Sequence, residues 1–275
     1  MKKILVPFDF SNTSESALNY AVELSKYLSA QLILLHADQI PVMSPELSLN
    51  TISVQDMKQD SLDALKNLAD KITLTQGITS GIRYLSKIGN TSEVVSEEVE
   101  NLGVDFVVMG VTGHGSKFMQ SMVGSASVDV SKKIQTPLII VPPGATFKKI
   151  QTIAYACDFS DQVESTASLI KIKYLVTLFA ANLHVLHLVP EGHNMSPKET
   201  GIGNFVERSL ENTPHKTSVI TESNIGLGIL EFINAHTVDL LIIEPKKHSV
   251  FHKLFLGSTT NELVFNSPVP VLTIH

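Results

Sequence analysis

The sequence is short of the residues that would commit it to several common chemistries. It holds one cysteine, Cys157, in 275 residues. That excludes an intrachain disulfide and any cysteine-rich zinc site, and it suits a reducing compartment. Positive charge is scarce: 21 Lys and Arg against 27 Asp and Glu leave a net charge of -6, with a pI near 5.9. A general nucleic-acid binder needs a basic face to neutralise phosphates. No basic run or RNA-reading aromatic motif occurs, so no nucleic-acid partner is expected. Apolar runs are short as well, none reaching the roughly 18 residues of a membrane span. In "MKKILVPFDFS" Asp9 arrives too early for the apolar core of a signal peptide. A cytoplasmic protein without a membrane partner is the expectation.

Familiar catalytic signatures are missing too. There is no GxxxxGK[ST] to place a Walker-type lysine and a Mg²⁺-binding hydroxyl, no GxSxG elbow and no HExxH zinc pair. The first apolar stretch runs into "PFDFSNTSES" rather than GxGxxG, which argues against a dinucleotide site of the usual kind. What remains is 43% hydrophobic and 17% charged, the balance of packed domains, in a chain long enough for two of them.

The chain contains one unit written twice. "ILVPFDFS" (4–11) matches "IAYACDFS" (153–160), and "LILLHAD" (32–38) resembles "LHVLHLV" (183–189). "VDFVVMG" (104–110) matches "VDLLIIE" (238–244), and "TPLIIVP" (136–142) matches "VPVLTIH" (269–275). The Pro/Gly stretch "PPGATFKK" (142–149) is the natural joint, giving domains at 1–145 and 146–275. In each copy short continuous apolar runs alternate with helical patterns. In copy one, strands are expected at 4–6, 31–37, near 79–88, at 104–109 and at 137–141. Helices are expected after a cap among Ser11, Thr13 and Ser14, within 53–75, after Asn90 or Thr91, and after Gly124. Five buried strands separated by helices imply a doubly wound α/β domain with a five-stranded parallel sheet, twice over. Such sheets bind ligands beyond the carboxyl ends of their strands, where Asp9, Ala37 and Gly110 fall.

Past the fourth strand of copy one lies "GVTGHGSKFMQSMVGSAS" (110–127). Glycines let a backbone approach phosphates closely, and free N–H groups at the following helix start favour an anion. Ser125 would add a hydroxyl donor, and Asp9 would accept from a ribose hydroxyl or an adenine amine. The same glycines equally suit a turn that must bend sharply.

Taken together, "ILVPFDFS", "LILLHAD", "VDFVVMGVTGHG" and "VGSAS" followed by "TPLIIVP" resemble the universal stress protein family in its tandem form, over nearly the whole chain. The resemblance implies a doubly wound five-stranded parallel sheet and, in ATP-binding members, a G-x2-G-x9-G-[ST] loop. Carried over residue by residue, it puts adenine and ribose near Pro7, Asp9 and the Ala37 backbone. Triphosphate, with Mg²⁺, would lie against Gly110, Gly113, Gly124 and Ser125, near the Ala126 backbone. One departure stands out: residues 114–123 put ten positions where the family has nine, and the internal repeat places the extra residue within this loop. In copy two Glu244 and Lys247 replace the first two motif glycines. Glu244 sets a negative charge beside any triphosphate, and Pro245 removes an N–H. One ATP site, in the N-terminal domain, is the expectation.

Other polar residues take plainer readings. His36 and His187 occupy matching strand ends without a partner identifiable in sequence, and both read as structural. His114 and Lys117 read as exposed loop side chains, and Cys157 as a small buried hydrophobe. Lys246, Lys247, His248, His252 and Lys253 read as a solvated loop, and Met109, Met119 and Met122 as core filler. The fifth strands, "PLIIV" (137–141) and "PVPVLTI" (268–274), would be bare apolar edges. Pairing them makes the chain an intramolecular pseudo-dimer, with a further homodimer open to it. The leading function is a stress-response module that responds to ATP and acts on a protein partner whose identity the sequence does not carry. The alternative is a nucleotide-independent interaction or chaperone-like protein. No general base is identifiable, so at most slow ATP hydrolysis is expected.

Overall fold

The computed structural model describes residues 1–39, 54–78, 81–111, 126–157, 162–192, 194–244 and 267–275. They form two compact units. One takes in Met1–Val111 and closes at Phe147, and the other runs Lys148–His275.

The first unit holds strands β1 (Lys3–Pro7), β2 (Gln31–Asp38), β3 (Ile82–Ile88), β4 (Phe106–Gly110) and β5 (Leu138–Val141). Between them run helices α1 (Asn12–Leu28), α2 (Val54–Gln76), α3 (Thr91–Leu102) and α4 (Ala126–Lys133). The strand order is β3-β2-β1-β4-β5, every described pair parallel. The order therefore reverses between β1 and β4, the position where doubly wound sheets open a crevice.

The second unit repeats the plan. Its strands are β6 (Thr152–Cys157), β7 (Asn182–Pro190), β8 (His215–Glu222), β9 (Leu240–Ile243) and β10 (Val271–Thr273). Its helices are α5 (Gln162–Phe179), α6 (Pro197–Ser209) and α7 (Ile225–Ala235). The order is β10-β9-β6-β7-β8, again parallel. The doubly wound parallel architecture expected from the alternation of apolar runs and helical patterns is what the chain adopts.

Local chemistry sets these boundaries. Ile4, Leu5, Phe106, Val107, Leu138 and Ile139 are buried to about the same degree as β6 residues Ile153 and Ala154, as expected of strands covered on both faces. Of the three candidate caps for α1, Ser11 holds the position and accepts the Ser14 N–H at 3.2 Å. Asn90 caps α3, and Ser196 with Glu199 forms a reciprocal capping box ahead of α6, with Pro197 in its first turn. The repeated "VD" dipeptide has a physical reason. Asp105 accepts the Lys3 N–H through Oδ2 at 2.8 Å. Asp239 accepts the N–H groups of Gln151 and Thr152 at 2.8 and 2.9 Å. In both units this aspartate ties the start of the fourth strand to the start of the first. Each tie satisfies backbone donors that the parallel ladder leaves over.

Candidate functional site

The carboxyl ends of β1, β2 and β4 bring several of the expected residues to one end of the first sheet. Pro7 closes β1 and pairs in register with Leu35, and Ala37 is the penultimate residue of β2. Gly110 closes β4, beside Val141 of β5. Asp9 follows β1 on the surface, and Ala126 opens α4, exposed. Gly113, Gly124 and Ser125 lie outside the described residues, as do His114 and Lys117.

Asp9 is anchored. Its Oδ1 accepts the Ser11 N–H at 3.1 Å and the Ser11 hydroxyl at 2.5 Å. Partial burial works to raise its pKa, but the Ser11 and Ser14 hydroxyls and backbone N–H groups outweigh this and hold it below the ordinary 3.8. Asp9 is thus an ionised acceptor at neutral pH, held by the turn that starts α1.

Gly110 has a structural duty independent of any ligand. A Cβ there would stand 2.2 Å from the carbonyl oxygen of Thr13 and 2.7 Å from its carbonyl carbon. The first turn of α1 thus passes directly over the end of β4, and only glycine leaves it room. Asp9, Ser11, Thr13 and Gly110 are thus linked through the α1 turn at the switch between β1 and β4.

Three polar side chains and one aromatic at this end escaped the sequence reading. Asp38, the last residue of β2, is buried and accepts the Ser61 hydroxyl of α2 at 2.6 Å. It also accepts the Ser86 hydroxyl of β3. His36 Nε2 lies 3.4 Å from Asp38 Oδ1, and its Nδ1 donates to the Phe8 carbonyl at 2.6 Å. His36 therefore has a carboxylate partner that sequence did not identify, and among the described residues its contacts tie strand ends together and include no nucleophile placed for attack. The signal was present in "LHAD": residues two apart on a strand share a face. Phe10 is the aromatic. Its φ of 63° lies in the left-handed region, which a bulky residue adopts at a cost of about 1–2 kcal/mol. Its half-exposed ring packs edge-on against Phe8 at 5.0 Å and against the His36 ring at 5.2 Å.

The second unit has different chemistry at the equivalent place. Glu244 stands where the first unit has Gly110. It is buried, and its Oε2 accepts the Tyr155 hydroxyl at 3.3 Å. Cys157, matching Phe8, is buried and its thiol faces the Leu186 carbonyl at 3.6 Å. Among the described residues no group of three His, Cys, Asp or Glu could hold a metal ion, and no helix is long and apolar enough to cross a membrane.

Two doubly wound units, each a five-stranded parallel sheet whose strand order reverses beside its first strand, define a tandem α/β protein. Family comparison gives the class its name: the universal stress protein family model matches residues 1–142 and again 149–275. The chain belongs to the universal stress protein family, in tandem form. Universal stress protein Slr1230 of Synechocystis sp. is 25% identical, with the whole of both chains covered. A solved universal stress protein from Archaeoglobus fulgidus superposes with a TM-score of 0.69 at 20% identity, covering 99% of this chain and 95% of its own. That likeness speaks for the fold. A solved universal stress protein in complex with cAMP covers 52% of this chain at 19% identity, with a TM-score of 0.41.

Proposed function

We propose that the chain is a stress-response module whose first unit binds ATP with Mg²⁺ and whose surface, altered by that binding, engages a protein partner. The observation that carries this reading is the anchored, ionised Asp9 past the end of β1, in the same α1 turn whose Thr13 lies over Gly110 at the end of β4. Adenine and ribose would rest near Pro7, Asp9 and the Ala37 backbone, with Asp9 accepting from a ribose hydroxyl. The phosphates would meet Gly110, Gly113, Gly124, Ser125 and the Ala126 N–H at the start of α4, where unpaired donors favour an anion. The polyphosphate itself would supply most of the Mg²⁺ ligands. The chain's part is to orient the nucleotide, and slow hydrolysis is the most this set of groups would support.

Glu244 favours a single site. A buried carboxylate at the position of Gly110 would repel a triphosphate, and its bond to Tyr155 commits it to the core. The second unit would then serve as scaffold and partner surface. We further infer that the two fifth strands pair within the chain: each stands at one end of its own unit's strand order, and both are apolar. Ile139→Lys should then render the units separable or insoluble.

Calorimetric titration of ATP and Mg²⁺ into nucleotide-stripped protein tests the site, with Asp9→Ala and Gly124→Asp alongside. One equivalent per chain, lost in Gly124→Asp and weakened in Asp9→Ala, is expected. Two equivalents would overturn the single-site reading. No binding at all would leave the nucleotide-independent interaction protein as the function.

A further inference from the structure

We infer that β8 is a homodimerisation edge, on which a second copy of this chain adds its own β8 antiparallel about a two-fold axis through Val219. Among the described residues β8 pairs with β7 alone and ends the second unit's strand order. A free edge is a template for another strand, and proteins usually blunt it with charge, proline or a bulge. The middle of β8, "TSVIT" (217–221), has none of these, and Val219 is 60% exposed.

The charges of the strand identify the occupant. In an antiparallel ladder centred on Val219, residue pairs sum to a constant, so Lys216 stands opposite the partner subunit's Glu222. By symmetry Glu222 stands opposite the partner subunit's Lys216. Thr217 meets the partner subunit's Thr221, and Val219 meets its own copy. Side chains facing each other across such a ladder are about 5 Å apart, and opposite charges and threonine pairs there are favourable. A two-fold contact must be self-complementary in this way, and this seven-residue stretch is. The strand is also held ready: on the α6 face Glu207 accepts from His215 at 3.0 Å and from the Thr217 hydroxyl. On the α7 face Ile220 and Glu222 lie against Gly228.

The outer strand of the first unit makes the contrast. β3, "IRYLSKI", also pairs with one neighbour among the described residues. The same construction about Leu85 sets Arg83 opposite the partner subunit's Lys87, cation against cation, with Lys87 already committed to Glu98 at 2.8 Å. Two outer edges of like architecture therefore differ in the sign of their self-pairing.

Sedimentation equilibrium of the full chain across a concentration series tests this. Wild type should be dimeric at high concentration. Lys216→Glu and Glu222→Lys should each weaken the dimer about 30-fold, as each turns two attractive pairs into repulsive ones worth about 1 kcal/mol apiece. The double swap should restore it, since it regenerates both pairs in reverse. Val219→Lys, at an exposed position, should keep its circular dichroism and melting temperature and lose the dimer. A wild type that stays monomeric at its highest soluble concentration would overturn the inference. So would a Val219→Lys dimer as tight as wild type, or a folded double swap that stays as weak as the singles. None of these readouts involves nucleotide, so they stand or fall apart from the ATP site.

Discussion

Replacing Gly110 with alanine should cost the first unit about 2 kcal/mol. The added Cβ would sit 2.2 Å from the Thr13 carbonyl oxygen, more than 1 Å inside ordinary contact. The obstacle is helix backbone rather than the tip of a flexible side chain. The α1 turn is fixed by the Ser11 cap and by Asp9, so relief requires moving α1 off β4 by roughly 1 Å. Overpacking of this kind costs about 1–3 kcal/mol, and the tightness here puts the cost near 3. The loss of unfolded-chain freedom on Gly→Ala returns about 0.4–1 kcal/mol. With a urea slope of about 2 kcal/mol/M for a domain of this size, the unfolding midpoint should fall by about 1 M. Urea titration by circular dichroism reads the shift. Hydrogen exchange should show it in β1, β4 and the start of α1, with α6 unaffected. A midpoint change under about 0.2 M would refute the argument.

Gly201→Ala is the counterpart: a Cβ there meets nothing within 4 Å inside α6, so helix propensity should add about 0.5–1 kcal/mol, read as a higher melting temperature. Asp38→Ala leaves the buried Ser86 hydroxyl without its acceptor. About 3 kcal/mol should be lost, with α2 the first element to lose exchange protection. The Glu207–His215 contact should give a pH signature. Burial lowers the His215 pKa, but the Thr213 carbonyl and Glu207 raise it further, for a net value above the ordinary 6.5. Its contribution is whole below pH 6.5 and is lost as pH rises through the folded value. The Thr217 hydroxyl and His215 hold Glu207 below the ordinary 4.5 against burial, so its contribution is lost only as pH falls through that lowered value. The stability gap between wild type and Glu207→Gln should therefore be widest between pH 4.5 and 6.5, at under ~1 kcal/mol for so exposed a pair. A gap that is flat across denaturation curves from pH 4 to 9 would show the contact to be idle.

The parts of this fold that are legible in sequence are those whose cause is local. Continuous apolar runs such as Ile4–Val6 and Leu32–Leu35, short and followed by helix-cap or turn residues, read as strands buried on both faces. Ser11 and Asn90 announce helices within a residue or two. Asp9 and Gly110 fall at strand ends, so the candidate mouth is legible in the sequence alone. What stayed hidden depends on residues far apart in the chain. Nothing at Ser61 or Ser86 marks them as donors to Asp38, 23 and 48 positions away. Gly110 read as a phosphate glycine, because its approach to Thr13 depends on how α1 settles over the sheet. The strained backbone of Phe10 has no local sequence signal either, since turn chemistry favours Gly or Asn there.

The shared carboxylate of Asp38 also shapes how such a chain can drift. Ser61, Ser86 and His36 come from three separate elements and converge on one acceptor. A substitution at position 38 strands both hydroxyls at once and leaves His36 its bond to the Phe8 carbonyl, whereas losing one hydroxyl weakens the group without emptying it. Relatives should therefore shed the serines one at a time while the aspartate remains, and lose the aspartate only after both have become apolar. The order of loss along a lineage would then be written by hydrogen-bond arithmetic rather than by the ligand at the mouth.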